Sequence, residues 1–373
     1  MLKNKDFSKY YPFILLLSFF VGLSIFKNFF AMPFVDVGRE LIVVQGILEG
    51  KTLYKDILNI YGAIPYFVYA LFAKLIGLNL KIFLLLNSIV SVGVIFSIYK
   101  IANEFLDKTK SLIISLCIIF LSIFSLSLFN FIHPYSICYT FGLLFYFVST
   151  YFLIKFFKTN SFKFLYFSSL FCGISFASKN EFIFLPFIIL FLLIFYKKIN
   201  IKNFSISFLM FLIFPILQIL ILYCSGLNFF DFINAFNIIL KSAVTPAMKA
   251  FHSYIGMDIN LFNLKEKIVS LFFILFSFFI LKFIKSFENN SKIETKKKFL
   301  GYFLFILLVI FYKIFIGLKE IFCFLPLIIL VLSIINFKKI IKKPEIFALV
   351  LCSIFASIKT FFHLNFSAYG SYT

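Results

Sequence analysis

The chain has 373 residues, 62% of them hydrophobic and only 14% charged, and its mean hydropathy is +1.06. Soluble domains use about 45–50% apolar residues, so composition excludes a soluble globular protein. The net charge of +21 does not indicate nucleic acid, because the lysines cluster between apolar runs as cytoplasmic loops do under the positive-inside rule.

Apolar runs of about 18 residues or more recur along the length, the pattern of a polytopic all-α membrane protein. A single transmembrane domain over 1–373 is expected, with no separate soluble domain. The 63 phenylalanines and the near-total use of lysine over arginine read as a coding bias, so aromatic content carries little functional weight. The six cysteines (Cys117, Cys138, Cys172, Cys224, Cys323, Cys352) lie scattered inside apolar runs. No two form a C-x-x-C motif, and they read as small apolar fillers.

The first span covers about 11–31 and follows Lys3, Lys5 and Lys9. No small-residue cleavage site comes after it, so it reads as a span and not as a removed signal peptide. Its basic flank places the N-terminus in the cytoplasm and the loop 32–79 outside. Residues 36–49 read as a short helix with Asp36 at the N-cap or first turn and Gly50 ending it. Asp36, Arg39 and Glu40 then share an arc of roughly 100°. Leu41, Val44 and Leu48 occupy a neighbouring arc that would rest on lipid, as in an interfacial helix.

The next apolar run, 62–77, decides the topology. If it crossed, every later lysine-rich loop (100–110, 155–163, 197–202, 282–298, 338–343) would lie outside. It is short, opens near Pro65 and carries Lys74, so it is expected to be interfacial or re-entrant. The remaining spans fall at about 80–100, 111–130, 135–155, 163–178, 182–197, 203–224, 266–285, 299–316, 320–336 and 345–363. With the first they make about 11 transmembrane helices. A second large external loop covers 225–265, with amphipathic pieces, and no internal repeat is evident.

Four places carry candidate chemistry. Asp36 lies beside Glu40 and Arg39, the one arginine among 36 basic residues. A carboxylate there can serve as a general base, and a retained guanidinium offers a planar, bidentate fork. The plain alternative is a solvated i,i+4 charge pattern at a helix start. Lys179 and Glu181 flank Asn180 between two apolar runs, where charges are costly unless paired or facing a polar cavity. The plain alternative is a tight interfacial turn. His133 and Tyr135 lie in another short external turn, where a lone histidine is more often structural. Lys359, His363 and Tyr369 lie near the C-terminus, where the lysine would snorkel or meet a lipid phosphate. The three histidines share no metal-ligand spacing, so no metal site is expected.

Asp36-Val37-Gly38-Arg39-Glu40, then Gly46, Gly50, Leu53-Tyr54-Lys55-Asp56 and Tyr61-Gly62, resemble the first external loop of GT-C glycosyltransferases. These are polytopic enzymes related to protein mannosyltransferases and the lipid A aminoarabinose transferase, and the likeness is to bacterial family 39 members. Ala177-Ser178-Lys179-Asn180-Glu181, His133-Pro134-Tyr135-Ser136 and the stretch from Ile358-Lys359 to Tyr369-Gly370-Ser371-Tyr372 resemble later family segments. In that fold juxtamembrane helices follow the first loop.

The resemblance implies a bacterial inner-membrane transferase with an external site. It would use a polyprenyl-phosphate-linked sugar donor and a lipid, glycan or protein acceptor. Asp36 would deprotonate the acceptor. Arg39 would serve the phosphate or orient the carboxylates, and Glu40 would support Asp36 or a divalent cation. Lys179 and Lys359 would bind the donor phosphate. Asp56, Tyr61, His133, Tyr135, Glu181, His363 and Tyr369 are candidates for substrate contact. No cofactor is required by the resemblance, and membrane lipid is a further partner. The chain ends at Thr373, where such relatives continue, so a compact or truncated member is expected. A transporter or flippase for a lipid-linked glycan, or an inactive assembly subunit, are the alternatives.

Overall fold

The computed structural model describes residues 7–27, 37–124, 130–133, 136–254, 303 and 329–357. A short 3-10 turn leads into α1 (Tyr11–Phe26), which has a proline in its first turn, where the missing N–H costs nothing. In the first loop come α2 (Gly38–Leu48) and α3 (Ile64–Ile76), the latter ended by Gly77 at φ 97°. Then α4 (Leu80–Asn103) starts where the Asn79 side chain accepts from the Ile82 N–H, and α5 (Lys108–Ile118) where Asp107 accepts from the Lys110 N–H. A π-turn extends α5 through Ile123.

The chain continues as α6 (Ile137–Thr159), closed by left-handed Asn160, and α7 (Phe162–Ser178). A 3-10 turn, Asn180–Ile183, leads to α8 (Phe184–Phe195). The 24-residue α9 (Ile201–Cys224) follows, capped by Asn200. Beyond it lie α10 (Phe229–Ala243), α11 (Pro246–Tyr254), a single turn at Phe337–Ile340, and α12 (Pro344–Ala356). Extended pairing among the described residues is limited to one isolated bridge, Leu53 with Ile57.

Side-chain bonds sort the helix ends into two groups. At one end Tyr11 bonds Thr109, Lys108 bonds Ser8, Lys155 and Lys158 both reach Glu104, and Lys198 bonds Asn160. Tyr166 bonds Asn203 there, and Tyr196 donates to the Ile341 carbonyl. This is the lysine-rich end. At the other end His133 meets the Lys27 carbonyl and Asn87 donates to Ile132 O. There Gly62 N–H also bonds Ser178 O, and Ala63 N–H bonds Gln218.

This sorting puts the end of α1 and the start of α4 at the same end of the bundle. With 13 residues, α3 is about 20 Å long at 1.5 Å per residue, short of the roughly 30 Å hydrocarbon thickness. Lys74, Leu71 and Leu75 point outward, while Tyr66, Tyr69, Ala70 and Ala73 face the core.

Among the described residues, four helices are long and apolar enough to cross a membrane: Ser8–Phe26, Leu80–Asn103, Ile137–Thr159 and Ile201–Cys224. The shorter apolar helices α3, α7, α12 and the Asn180–Phe195 segment fall below that length, so eleven spans are not established. The expected spans at 266–285 and 299–316 lie outside the described residues, apart from residue 303. By packing, the chain divides into two compact units, Met1–Lys241 with Lys338–Cys352, and Ser242–Phe337 with Ser353–Thr373.

One expectation about α2 is corrected. Val44 does not rest on lipid but is fully buried, with Val43 and Gly46, against α3. Ile42 is the residue that points out, 67% exposed. The reason is that α3 packs against α2 and covers Val44, while Leu48 of the same arc stays exposed. Val37 occupies the cap position of α2 and makes no side-chain hydrogen bond, while Asp36 lies outside the described residues. Cys138, Cys172 and Cys352 are buried as expected of apolar fillers, whereas Cys117 and Cys224 are exposed.

Candidate active site at the loop end

Tyr61 and Gly62 form the hub of the site. Their backbone is held from both sides. The Tyr61 carbonyl accepts from Tyr54 Oη and from Asn59 Nδ2, and the Tyr61 N–H reaches Asn59 Oδ1. Gly62 donates its N–H to Ser178 O at 3.1 Å and accepts from Cys138 Sγ at 3.5 Å. A Cβ on Gly62 would lie 1.9 Å from Ala177 O, so only glycine lets the loop strand approach the end of α7 this closely. Burial drives the Tyr54 phenol well above its usual range, which keeps it a neutral donor.

The close approach sets Tyr61 beside Lys179, the residue that ends α7. Lys179 is only 5% exposed. An isolated buried ammonium is costly, and three groups meet this one. Glu181 Oε1 is 3.3 Å from its Nζ. The rings of Tyr139 and Tyr61 have their centroids 4.7 and 5.1 Å away, within cation–π range. From the other side of the loop, Arg39 lies 5.5 Å from the same Tyr61 ring. Its Nη2 bonds Glu40 Oε1 at 2.7 Å, and Glu40 is 1% exposed while Arg39 is 39% exposed. Two cations thus share one aromatic ring. Each cation is also ion-paired, Arg39 with Glu40 and Lys179 with Glu181, so two carboxylate–cation pairs meet over one aromatic ring.

The other candidate residues divide. Arg39, Glu40, Tyr61, Lys179 and Glu181 come together. Asp56 does not join them. Its Oδ2 accepts from the Thr52 N–H at 2.8 Å, which closes the turn 52–57 locally. His133 is buried, with Nε2–H donating to the Lys27 carbonyl at 3.1 Å. Burial lowers its pKa, and the Lys27 carbonyl offsets only part of that shift, so it stands as a neutral anchor between α1 and the turn before α6. Asp36, Tyr135, Lys359, His363 and Tyr369 lie outside the described residues. Among the described residues, no group of three or more His, Cys, Asp or Glu could hold a metal ion.

Two contributors escaped the sequence reading. Gln218 interrupts the apolar run of α9 and accepts from Ala63 N–H at 3.0 Å. A polar residue inside a span was a readable signal. Tyr139 offered no signal, because it is one aromatic among many in an aromatic-rich chain.

The fold and this aromatic-lined cluster of ion pairs define a polytopic, all-α membrane protein with a charged site at one end of its described helices. Residues 63–223 match the family model described as dolichyl-phosphate-mannose-protein mannosyltransferase, which supports a GT-C superfamily glycosyltransferase of the membrane mannosyltransferase type. The matched segment runs from α3 to the end of α9 and covers less than half of the chain. It includes His133, Tyr135, Lys179 and Glu181, while Asp36, Arg39, Glu40, Asp56 and Tyr61 precede it. Comparisons with curated proteins and with solved structures found no match.

Proposed function

We propose that the chain moves a sugar from a polyprenyl-phosphate donor to a lipid, glycan or protein acceptor at the outer face of the membrane. The observation that carries this reading is the pair of cations, Arg39 and Lys179, over the single ring of Tyr61. A phosphate-bearing donor needs its charge offset as the bond to the sugar breaks, and fixed cations in a dry site do this most effectively. The lysine-rich end is cytoplasmic under the positive-inside rule, which puts Tyr61 and the first loop outside.

In the proposed step an acceptor hydroxyl attacks the anomeric carbon and forms the new C–O bond. The bond from that carbon to the phosphate oxygen breaks, and polyprenyl phosphate leaves with the electron pair. The Asp36 carboxylate takes the hydroxyl proton. Arg39 and Lys179 bind the phosphate as its charge grows, with Glu181 holding Lys179 and Glu40 holding Arg39. Lys359 is a further phosphate-binding candidate. The outward apolar residues of α3, Leu71, Leu75 and Ile76, offer a path for the isoprenoid tail.

A transporter would need charged groups through the span interiors. Among the described residues, α1 and α8 carry no charge, and α4, α6, α7 and α9 carry theirs only near their ends, which favours the enzyme. The test is transfer from undecaprenyl-phosphate sugars in membranes bearing Asp36→Asn or Lys179→Ala. Loss of about 10²–10⁴-fold is expected for the base and about 10²–10³-fold for the lysine. Full activity in Asp36→Asn removes Asp36 as the base. Full activity in Lys179→Ala removes the phosphate role.

A further inference from the structure

The helix α10 leaves an apolar stripe uncovered. At 100° per residue, Phe229, Phe232, Ile233, Phe236 and Leu240 fall within an arc of about 100°. They are 72, 45, 40, 53 and 51% exposed. A second arc, roughly 120° away, carries Ala235, which is 3% exposed and belongs to the core around Tyr54 and Tyr61. A third arc carries Asn234, Asn237 and Lys241. Phe230, Ile238 and Ile239 are large apolar residues outside the stripe. The helix thus has one side on protein, one side that carries its asparagines and Lys241 along with Phe230, and one side of largely exposed hydrocarbon.

We infer that the Phe229–Leu240 stripe of α10 is a membrane-binding surface, seated in the interfacial layer of the bilayer that α9 spans. Three sides of this kind match the three media met where protein, water and lipid join. A protein partner would cover the stripe but would not call for a separate polar flank. Continuity supplies the occupant. The outward residues of the last turns of α9, Ile219, Leu220 and Tyr223, are 63, 53 and 73% exposed. A turn through Gly226 at φ 92° separates them from Phe229, so the lipid-facing surface of α9 runs on into the stripe.

The start of α10 is held at that level by the first loop. Thr52 Oγ1 donates to the Ser225 carbonyl and Lys55 Nζ lies 3.8 Å from Asp231. Tyr54 and Phe232 meet edge to face with centroids 5.7 Å apart. The helix would therefore lie along the membrane surface next to the loop that carries Tyr61. The inference does not depend on the transferase reading.

The chain contains no tryptophan, so one introduced indole reports a single position. Phe236→Trp and Asn237→Trp would be prepared in the full chain and reconstituted into phosphatidylcholine–phosphatidylglycerol vesicles. Each would be titrated with brominated lipids and, separately, with acrylamide. The expected result is strong bromine quenching of Phe236→Trp, several-fold above Asn237→Trp, with the opposite order for acrylamide. Equal quenching at both positions overturns the inference. So does a Phe236→Trp shielded from both quenchers, which would indicate a protein cover such as a second copy of the chain.

Discussion

Tyr61 is the residue on which the two cations depend. Each cation–π contact contributes about 0.5–2 kcal/mol, more when desolvated, and Lys179 is nearly buried while Arg39 is only half so. Tyr61→Phe keeps the ring and is expected to retain most transfer activity. Tyr61→Leu keeps bulk but loses the π face, and should lower activity about tenfold or more, since 1.4 kcal/mol is a factor of ten. Steady-state transfer assays on both variants check this, and equal activity would remove the ring's role. His133 makes a pH prediction. Burial holds its folded-state pKa below the usual value, so the unfolded chain binds the proton more readily. The stability it contributes is complete above about pH 6.5, the unperturbed value, and is lost as pH falls through the lowered folded value. The thermal midpoint in detergent should fall over that range, and His133→Asn should flatten this part of the profile.

The approach of the first loop to α7 rests on Gly62, and glycines nearby differ in how much they matter. A Cβ on Gly62 would meet backbone, 1.9 Å from Ala177 O, whereas one on Gly46 would meet only the tip of the Ile57 side chain. Backbone cannot rotate away and a side-chain tip can. Gly62→Ala should therefore destabilise by about 1–3 kcal/mol or more, as overpacking does, and Gly46→Ala by clearly less. Thermal denaturation in detergent would show the contrast, and equal shifts would argue against the close approach. At this scale much was readable. The apolar runs that became α4, α6, α7 and α9, and the end of the 62–77 run at Gly77, follow from local chemistry, whereas the caps at Asn79 and Asp107 were found only in the structure. The facing of α2 was not readable, because periodicity gives an apolar arc without saying whether lipid or α3 covers it. The grouping of Tyr61 with Tyr139 and Lys179 was hidden for the same reason, since it joins three segments far apart in sequence.

Across the whole molecule the balance of charge organises the two ends. The described lysine-rich end carries Lys100, Lys108, Lys155, Lys158, Lys163 and Lys198. Its acid Glu104 is pushed up by burial, but hydrogen bonds from Lys155 and Lys158 outweigh this and hold it below the usual carboxylate range. The opposite end carries Glu40, Glu49, Asp56, Glu181 and Asp231 together with Arg39, Lys51, Lys55 and Lys179, which pair with four of them. Lysine parity remains an expectation about topology that counts charges and needs no packing. The span count was less accessible, since α7 and α8 are apolar yet shorter than a bilayer, and their fit depends on neighbours. Which end faces the cytoplasm is decided by labelling. Cys117 and Cys224 are exposed and would first be replaced by serine. Lys74→Cys on α3 and Lys163→Cys at the start of α7 then report the two ends, both sites being exposed. In intact cells a membrane-impermeant maleimide should label Lys74→Cys and spare Lys163→Cys, which becomes reactive only after lysis. Labelling of Lys163→Cys alone in intact cells would invert the protein and place Tyr61, Arg39 and Lys179 on the cytoplasmic face, where the donor and acceptor classes would have to be different ones.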